Sequence, residues 1–187
     1  AAKTLERLTA ILKREGGQSQ NAMSSWMSDC NAKRKEWEVF KAKRYANPVI
    51  YDETWDEKVL TQPAVIKAAT DWARHNNVVN FFDAGDVQAN GFQIVEDDQL
   101  GRTFTETGAS YMGFAVSALL STAITEKSFY GLAFTGDGSF VMNPQILIDG
   151  VEHGARGCIL LLDNRRMGAI SGLQLAQYGR DHTTNDS

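Results

Sequence analysis

Apolar residues recur at helical spacing through the first quarter of the chain, then give way to short runs closed by glycine, aspartate or asparagine. Leu5, Leu8, Ile11 and Leu12 predict an amphipathic helix over residues 2–14, stopped by Gly16-Gly17. Alone it has too little to bury, so it is expected as the last helix of a preceding domain. Met23, Trp26, Met27, Cys30, Trp37 and Phe40 carry helical spacing through 19–44, a stripe suited to packing against a neighbouring domain. Asn47-Pro48 breaks that helix, and Pro48 to Asp52 is expected as an extended linker. A third helix runs from Pro63 to about Asn77, with Val65, Ile66, Ala69 and Trp72 on one face.

From Val78 the pattern changes. Val78 to Asp83 is a β-rich run ending in an acid, the first sheet strand, followed by a strand-end loop at Ala84 to Gln88. Residues 90–107 show no strong periodicity, and Glu96-Asp97-Asp98 reads as a solvated turn. Ala115 to Ile124 is a small-residue apolar helix. A strand is expected over 131–135, a helix opening with Asn143 as cap and Pro144 at its first position, and a fully buried strand over Cys158 to Leu162. Ala169 to Tyr178 predicts the next helix, and Asp181 to Asp186 a mobile tail. Together these elements predict an α/β fold over roughly residues 60–187, a parallel sheet with helices on both faces, preceded by a helical linker. The division expected is 1–17 as the end of a preceding domain, 18–59 as linker, and 60–187 as the sheet domain, incomplete at its C-terminal end.

Charge sharpens the division. Residues 1–50 hold ten Lys/Arg against five Asp/Glu, while the remainder holds nine against eighteen. The basic charges alternate with Glu and Trp along helices, as on a solvated face, and the acidic remainder argues against nucleic acid as partner. The sequence has no run of 18 apolar residues, so no membrane span is expected. Cys30 and Cys158 fall in a helix and a strand, which makes a disulfide unexpected and a reducing cytoplasmic location the default. His75, His153 and His182 lack metal-ligand spacing, and His182 reads as solvent-exposed.

The chemistry gathers between Tyr130 and Gly168. The apolar run Leu132-Ala133-Phe134 ends in Gly136-Asp137-Gly138-Ser139, where two glycines allow a sharp turn and close ligand approach. The next strand ends in Asp163-Asn164. In a parallel sheet the ligand crevice lies outside the carboxyl ends of the strands, so Asp137 and Asn164 can face one site. One carboxylate and one amide oxygen suit a hard divalent cation bridging to phosphates, with N–H groups of the Gly138-Ser139 turn on the phosphate oxygens.

Gly136 to Ser139, followed by Asn164 27 residues after Asp137, resembles the cofactor motif of thiamine-diphosphate enzymes. Met112-Gly113-Phe114-Ala115 upstream and the Asn164 to Gly168 loop resemble the acetolactate-synthase-like branch. The resemblance covers about two-thirds of the chain. It implies the diphosphate-binding domain, with Mg2+ held by Asp137, Asn164 and the carbonyl of Arg166. It further implies cofactor contacts from Gly85, Met112, Gly136, Gly138, Ser139, Met167 and Gly168, with Met112 beneath the aminopyrimidine. Residues 83–87 resemble the family's D-x-G-Q-H loop but carry Asp86 and Val87 in place of Gln and His, which leaves Gly85 and the backbone as the safer match. The activating glutamate, and hence the catalytic acid, is expected on a separate pyrimidine-binding domain of a partner subunit, in a homodimer or homotetramer. The activity implied is a 2-keto acid decarboxylase or carboligase acting on a small keto substrate, and the piece alone is expected to be inactive. Gly168 to Gln174 also resembles the trihydroxycyclohexanedione hydrolases of inositol breakdown. Two further readings are a magnesium-dependent phosphate-handling enzyme using Asp83, Asp86 and Asp137, and a non-catalytic module of the same fold.

Overall fold

The structure, a computed structural model, describes residues 1–16, 20–53 and 55–182, for residues 20–23 the backbone alone. The expected helix stop at Gly17, the Met23 side chain and the tail residues 183–187 lie outside the described residues. Two compact units form, Ala1–Ala46 and Asn47–Ser187. The first consists of α1 (Ala2–Arg14) and α2 (Gln20–Ala46), as the apolar spacing requires. Leu5, Leu8, Trp26 and Met27 are all exposed. Trp37 stacks on Phe40 at 5.2 Å within α2.

The second unit opens with a hairpin. β1 (Val49–Asp52) pairs antiparallel with β2 (Glu57–Leu60), so residues 47–59 belong to this unit rather than to a helical linker. Asp56 turns the chain at φ 53°. The hairpin is followed by α3 (Gln62–His75), β3 (Val79–Phe82), α4 (Asp86–Ile94) and β4 (Thr103–Thr105). After these come α5 (Phe114–Ala118), α6 (Ser121–Ile124), β5 (Gly131–Gly136), α7 (Asp137–Phe140), α8 (Ile146–Glu152), β6 (Gly157–Leu162) and α9 (Gly168–Tyr178). No helix among the described residues is long and apolar enough to cross a membrane.

The four strands β3 to β6 form one parallel sheet in the order β4-β3-β5-β6. The chain leaves β3 for β4 on one side, then recrosses to β5 on the other. That reversal is a topological switch point, and the crevice outside the carboxyl ends of the two diverging strands is where such sheets bind ligands. Both faces are covered. On one, Val79, Phe81 and Ala133 pack with Ala115, Val116 and Leu119 and with Ile146. On the other, Phe82 and Phe134 stack with centroids 4.5 Å apart, and Phe82 lies against Gly91 of α4.

Several expectations change. Of the loop expected at 84–88, Ala84 and Gly85 precede α4 and residues 86–88 are its first turn, and the helix expected over 115–124 is interrupted between Ala118 and Ser121. Asn143 does not cap a helix: its side-chain amide donates to Ser117 Oγ, and α8 begins later, at Ile146. The run at Cys158 to Leu162 is a strand but not a buried one, because among the described residues β6 is an edge strand of the sheet, and Cys158 and Leu161 are exposed. Asp181 and His182, expected in a mobile tail, have fixed contacts: the Asp181 carboxylate lies 3.6 Å from the Arg166 guanidinium, and the His182 N–H donates to Gln174 Oε1 at 2.9 Å.

Candidate functional site

Four strand ends and loops converge at the switch point on a cleft of about 280 Å3. β3 delivers Ala84 and Gly85, β5 delivers Gly136 to Ser139, and the segment after β6 delivers Asn164 and Arg166 to Gly168. Ser110 and Met112 come from the loop before α5. All ten residues singled out in the sequence line this cleft: Gly85, Met112, Gly136, Asp137, Gly138, Ser139, Asn164, Arg166, Met167 and Gly168.

The Gly136-Asp137-Gly138 turn works differently from the expectation. Neither glycine has a positive φ, and the chain passes straight from β5 into α7 with Gly136 as its N-cap at φ −85°. The N–H groups of Gly138 and Ser139, in the first turn, have no intrahelical acceptor and are available to an anion. Gly138 lies beside Met112: a Cβ there would come to 3.2 Å from Met112 Cε, close enough that the thioether end would have to shift. The GDG and MGF blocks, 24 residues apart in sequence, are thus one contact in the fold.

The loop after β6 is shaped by its own polar side chains. Asp163 Oδ1 accepts from Arg165 N at 2.9 Å, and Asn164 Oδ1 accepts from Arg166 N at 3.1 Å. Gly168 N donates to the Arg166 carbonyl at 2.9 Å. Each of these oxygens keeps a second lone pair, so Asn164 Oδ1 and the Arg166 carbonyl can still bind a cation. Over Gly168 two side chains meet, where a Cβ would lie 2.8 Å from Asn164 Nδ2 and 2.9 Å from Asp86 Oδ2. Asp86 thereby enters the cleft as a second carboxylate beside Asp137.

Two carboxylates, Asp83 and Glu106, have a supporting role that the sequence pattern does not reveal. Asp83, the residue after β3, is wholly buried. Its Oδ1 accepts from Ala84 N at 3.0 Å and Gly113 N at 2.8 Å, and its Oδ2 accepts from Thr135 Oγ1 at 2.8 Å. Those three donors satisfy it internally, which removes it from the metal and phosphate role that one reading gave it. The signal was an acid closing an otherwise apolar strand. Glu106 supports the loop leading to Met112: it accepts from Gly108 N at 2.7 Å, Ala109 N at 3.0 Å and Ser110 N. Desolvation works to raise its pKa, but the N–H groups of Ala109, Gly108, Ser110 and Tyr111 together hold it below the ordinary carboxylate value. No group of three or more His, Cys, Asp or Glu among the described residues is arranged to hold a metal unaided. A cation here would need carbonyl, amide or phosphate oxygens as well, as magnesium ordinarily does.

The family model described as thiamine pyrophosphate enzyme, C-terminal TPP binding domain, matches residues 83–187. The acetolactate synthase large subunit of Haemophilus influenzae is 27% identical over 183 residues, 98% of this chain and 30% of the relative. The 3D-(3,5/4)-trihydroxycyclohexane-1,2-dione hydrolase of Clostridium tetani is 37% identical over 71 residues, 38% of this chain and 11% of the relative. The chain therefore spans less than a third of the length of these curated relatives. Benzoylformate decarboxylase from Polynucleobacter necessarius shares the fold, with a TM-score of 0.60 and 15% identity over 68% of this chain and 24% of that one.

Proposed function

Because the chain belongs to the thiamine pyrophosphate enzymes through their C-terminal TPP-binding domain, we propose that its cleft holds the diphosphate of thiamine diphosphate together with Mg2+. The observation that carries this reading is the convergence of the ten site residues on one cleft at the switch point of the sheet. The donor set fits the metal: the Asp137 carboxylate, Asn164 Oδ1 and the Arg166 carbonyl are all hard oxygen donors. The N–H groups of Gly138 and Ser139 take phosphate oxygens, and Gly85 and Gly136 let the backbone approach them. Met112, whose Cε lies beside Gly138, would support the ring end of the cofactor. Met167 and Gly168 line the same cleft.

Thiamine diphosphate, when bound, supplies an electron sink for breaking or forming a C–C bond next to a carbonyl. This chain binds and orients it, and its apolar wall of Met112, Leu162, Met167 and Ile170 limits water around the reacting end. A carboxylate on a pyrimidine-binding domain of a partner subunit, in a homodimer or homotetramer, completes the site. The enzyme is a cytoplasmic 2-keto acid decarboxylase or carboligase of the acetolactate-synthase type. A second reading, hydrolysis of a cyclic dione, is favoured by the 37% identity to the Clostridium tetani hydrolase. Both readings share the cofactor. Oxidising denatured, purified protein to thiochrome should reveal about one thiamine diphosphate per chain, whereas protein that takes up none from saturating cofactor and Mg2+ would sink them together. Carbon dioxide release from 2-keto acids separates the first reading from ring opening of a cyclic dione, which releases none.

A further inference from the structure

The Asn164–Gly168 loop is gripped from outside the cleft. The Arg165 guanidinium lies over the Trp55 ring, 3.6 Å from its centroid. Trp55 sits in the turn of the β1–β2 hairpin, 110 residues earlier in the chain, and its backbone N–H donates to Asp52 Oδ1 at 3.1 Å. Arg165 itself holds a left-handed backbone at φ 52°, a conformation uncommon for a residue with a Cβ. The residues on either side of it, Asn164 and Arg166, carry the oxygens assigned above to the metal. The one strained residue of the loop is therefore also the one clasped by the hairpin, and it lies between two metal donors.

We propose that Trp55 and Arg165 form a clasp that holds the Asn164–Gly168 loop in its metal-binding conformation, which makes Trp55 a positioning residue for that site. The metal assignment rests on the reading above; the clasp rests on the stack and the strained backbone alone. A guanidinium over an indole face is a favourable cation–π pair, and its planar group stacks where an ammonium would not. With the ring gone, Arg165 can leave its left-handed conformation and rotate the flanking peptide groups. The Arg166 carbonyl and Asn164 Oδ1, on the flanking residues, then lose their fixed positions, and the metal loses preorganised ligands.

The test titrates Mg2+ calorimetrically into the whole enzyme at saturating thiamine diphosphate, for wild type, Trp55→Ala, Trp55→Phe, Arg165→Ala and the double alanine variant. Loss of a supporting partner outside the ligand shell typically weakens metal binding at least about ten-fold. Trp55→Ala and Arg165→Ala should each show that loss, the double variant should be no weaker than either, and Trp55→Phe should stay within about two-fold of wild type. Wild-type Mg2+ affinity in Trp55→Ala, or losses that multiply in the double variant, would overturn the clasp. Arg165→Ala keeps the test valid should Trp55→Ala fail to fold, because Arg165 is exposed. Amide hydrogen exchange at Arg166 and Gly168, whose N–H groups are bonded within the loop, judges the clasp without any metal. It should quicken in Trp55→Ala and Arg165→Ala. Unchanged exchange contradicts the clasp, while wild-type protein that binds no Mg2+ contradicts only the metal assignment.

Discussion

The carboxylate of Asp83, just past the end of β3, accepts a 2.8 Å hydrogen bond from the hydroxyl of Thr135, one residue before the end of β5. Its other oxygen accepts from Gly113 N at 2.8 Å. One buried side chain thus pins both strands of the switch point and the residue after Met112.

Asp83→Ala should destabilise the fold by about 2–5 kcal/mol, since it leaves the Gly113 N–H buried without an acceptor and the Thr135 hydroxyl with only its longer bond to the Gly136 carbonyl, 3.3 Å. Asp83→Asn keeps one acceptor oxygen and the shape, and the Thr135 hydroxyl can rotate to accept from the new amide. It should cost roughly 1–2 kcal/mol. Urea unfolding of the three proteins checks the ranking. Equal losses for the two variants would mean that shape, not hydrogen bonding, is what Asp83 supplies.

Glu106 makes stability depend on pH in a stated direction. Its folded pKa is lowered by the N–H groups of the 108–111 turn, against desolvation. A depressed carboxylate contributes stability above its unfolded pKa of about 4.3 and loses it as pH falls through the lower folded value. The difference in urea midpoint between wild type and Glu106→Gln should be full near pH 6 and shrink steadily below about pH 4.3. A difference that grew on acidification would reverse the assigned sign.

Much of this architecture was legible because a few local signals are strong. An apolar strand ending in Gly-Asp-Gly, an apolar run ending in Asp-Asn and a helix opening near Pro63 all fall where the pattern predicted them. The missed parts depend on tertiary pairing. β4 has three residues and exists only through its parallel ladder with β3. The β1–β2 hairpin hides behind a turn in which Asp56, not glycine, takes the positive φ. The start of α4 looks like a loop in the sequence because Gly85 and Asp86 suit a turn, although Val87, Gly91 and Ile94 carry helical spacing and are buried. The apolar run of β6 could not reveal whether another strand lies beside it. Asp83 was visible as an acid at a strand end, but its inward direction depends on Thr135 and Gly113, 52 and 30 residues away.

Met112→Ala should lower turnover of the whole enzyme by up to about 100-fold while thiamine diphosphate affinity stays within a few-fold of wild type. The side chain touches Gly138 but contributes no polar atom to metal or phosphate. Single-turnover kinetics beside equilibrium cofactor binding separates the two effects. Normal turnover would make Met112 a packing residue only.

The central claim is that the Asp137 carboxylate anchors a magnesium–diphosphate pair in this cleft, and the most direct measurement is the thermal shift produced by Mg2+ with thiamine diphosphate. A ligand bound at about 100 times its Kd stabilises the native state by about 2.7 kcal/mol, enough to raise Tm by several degrees. Wild type should show that rise only when both are present, and Asp137→Ala should show none at the same concentrations. An equal rise in Asp137→Ala would contradict the account.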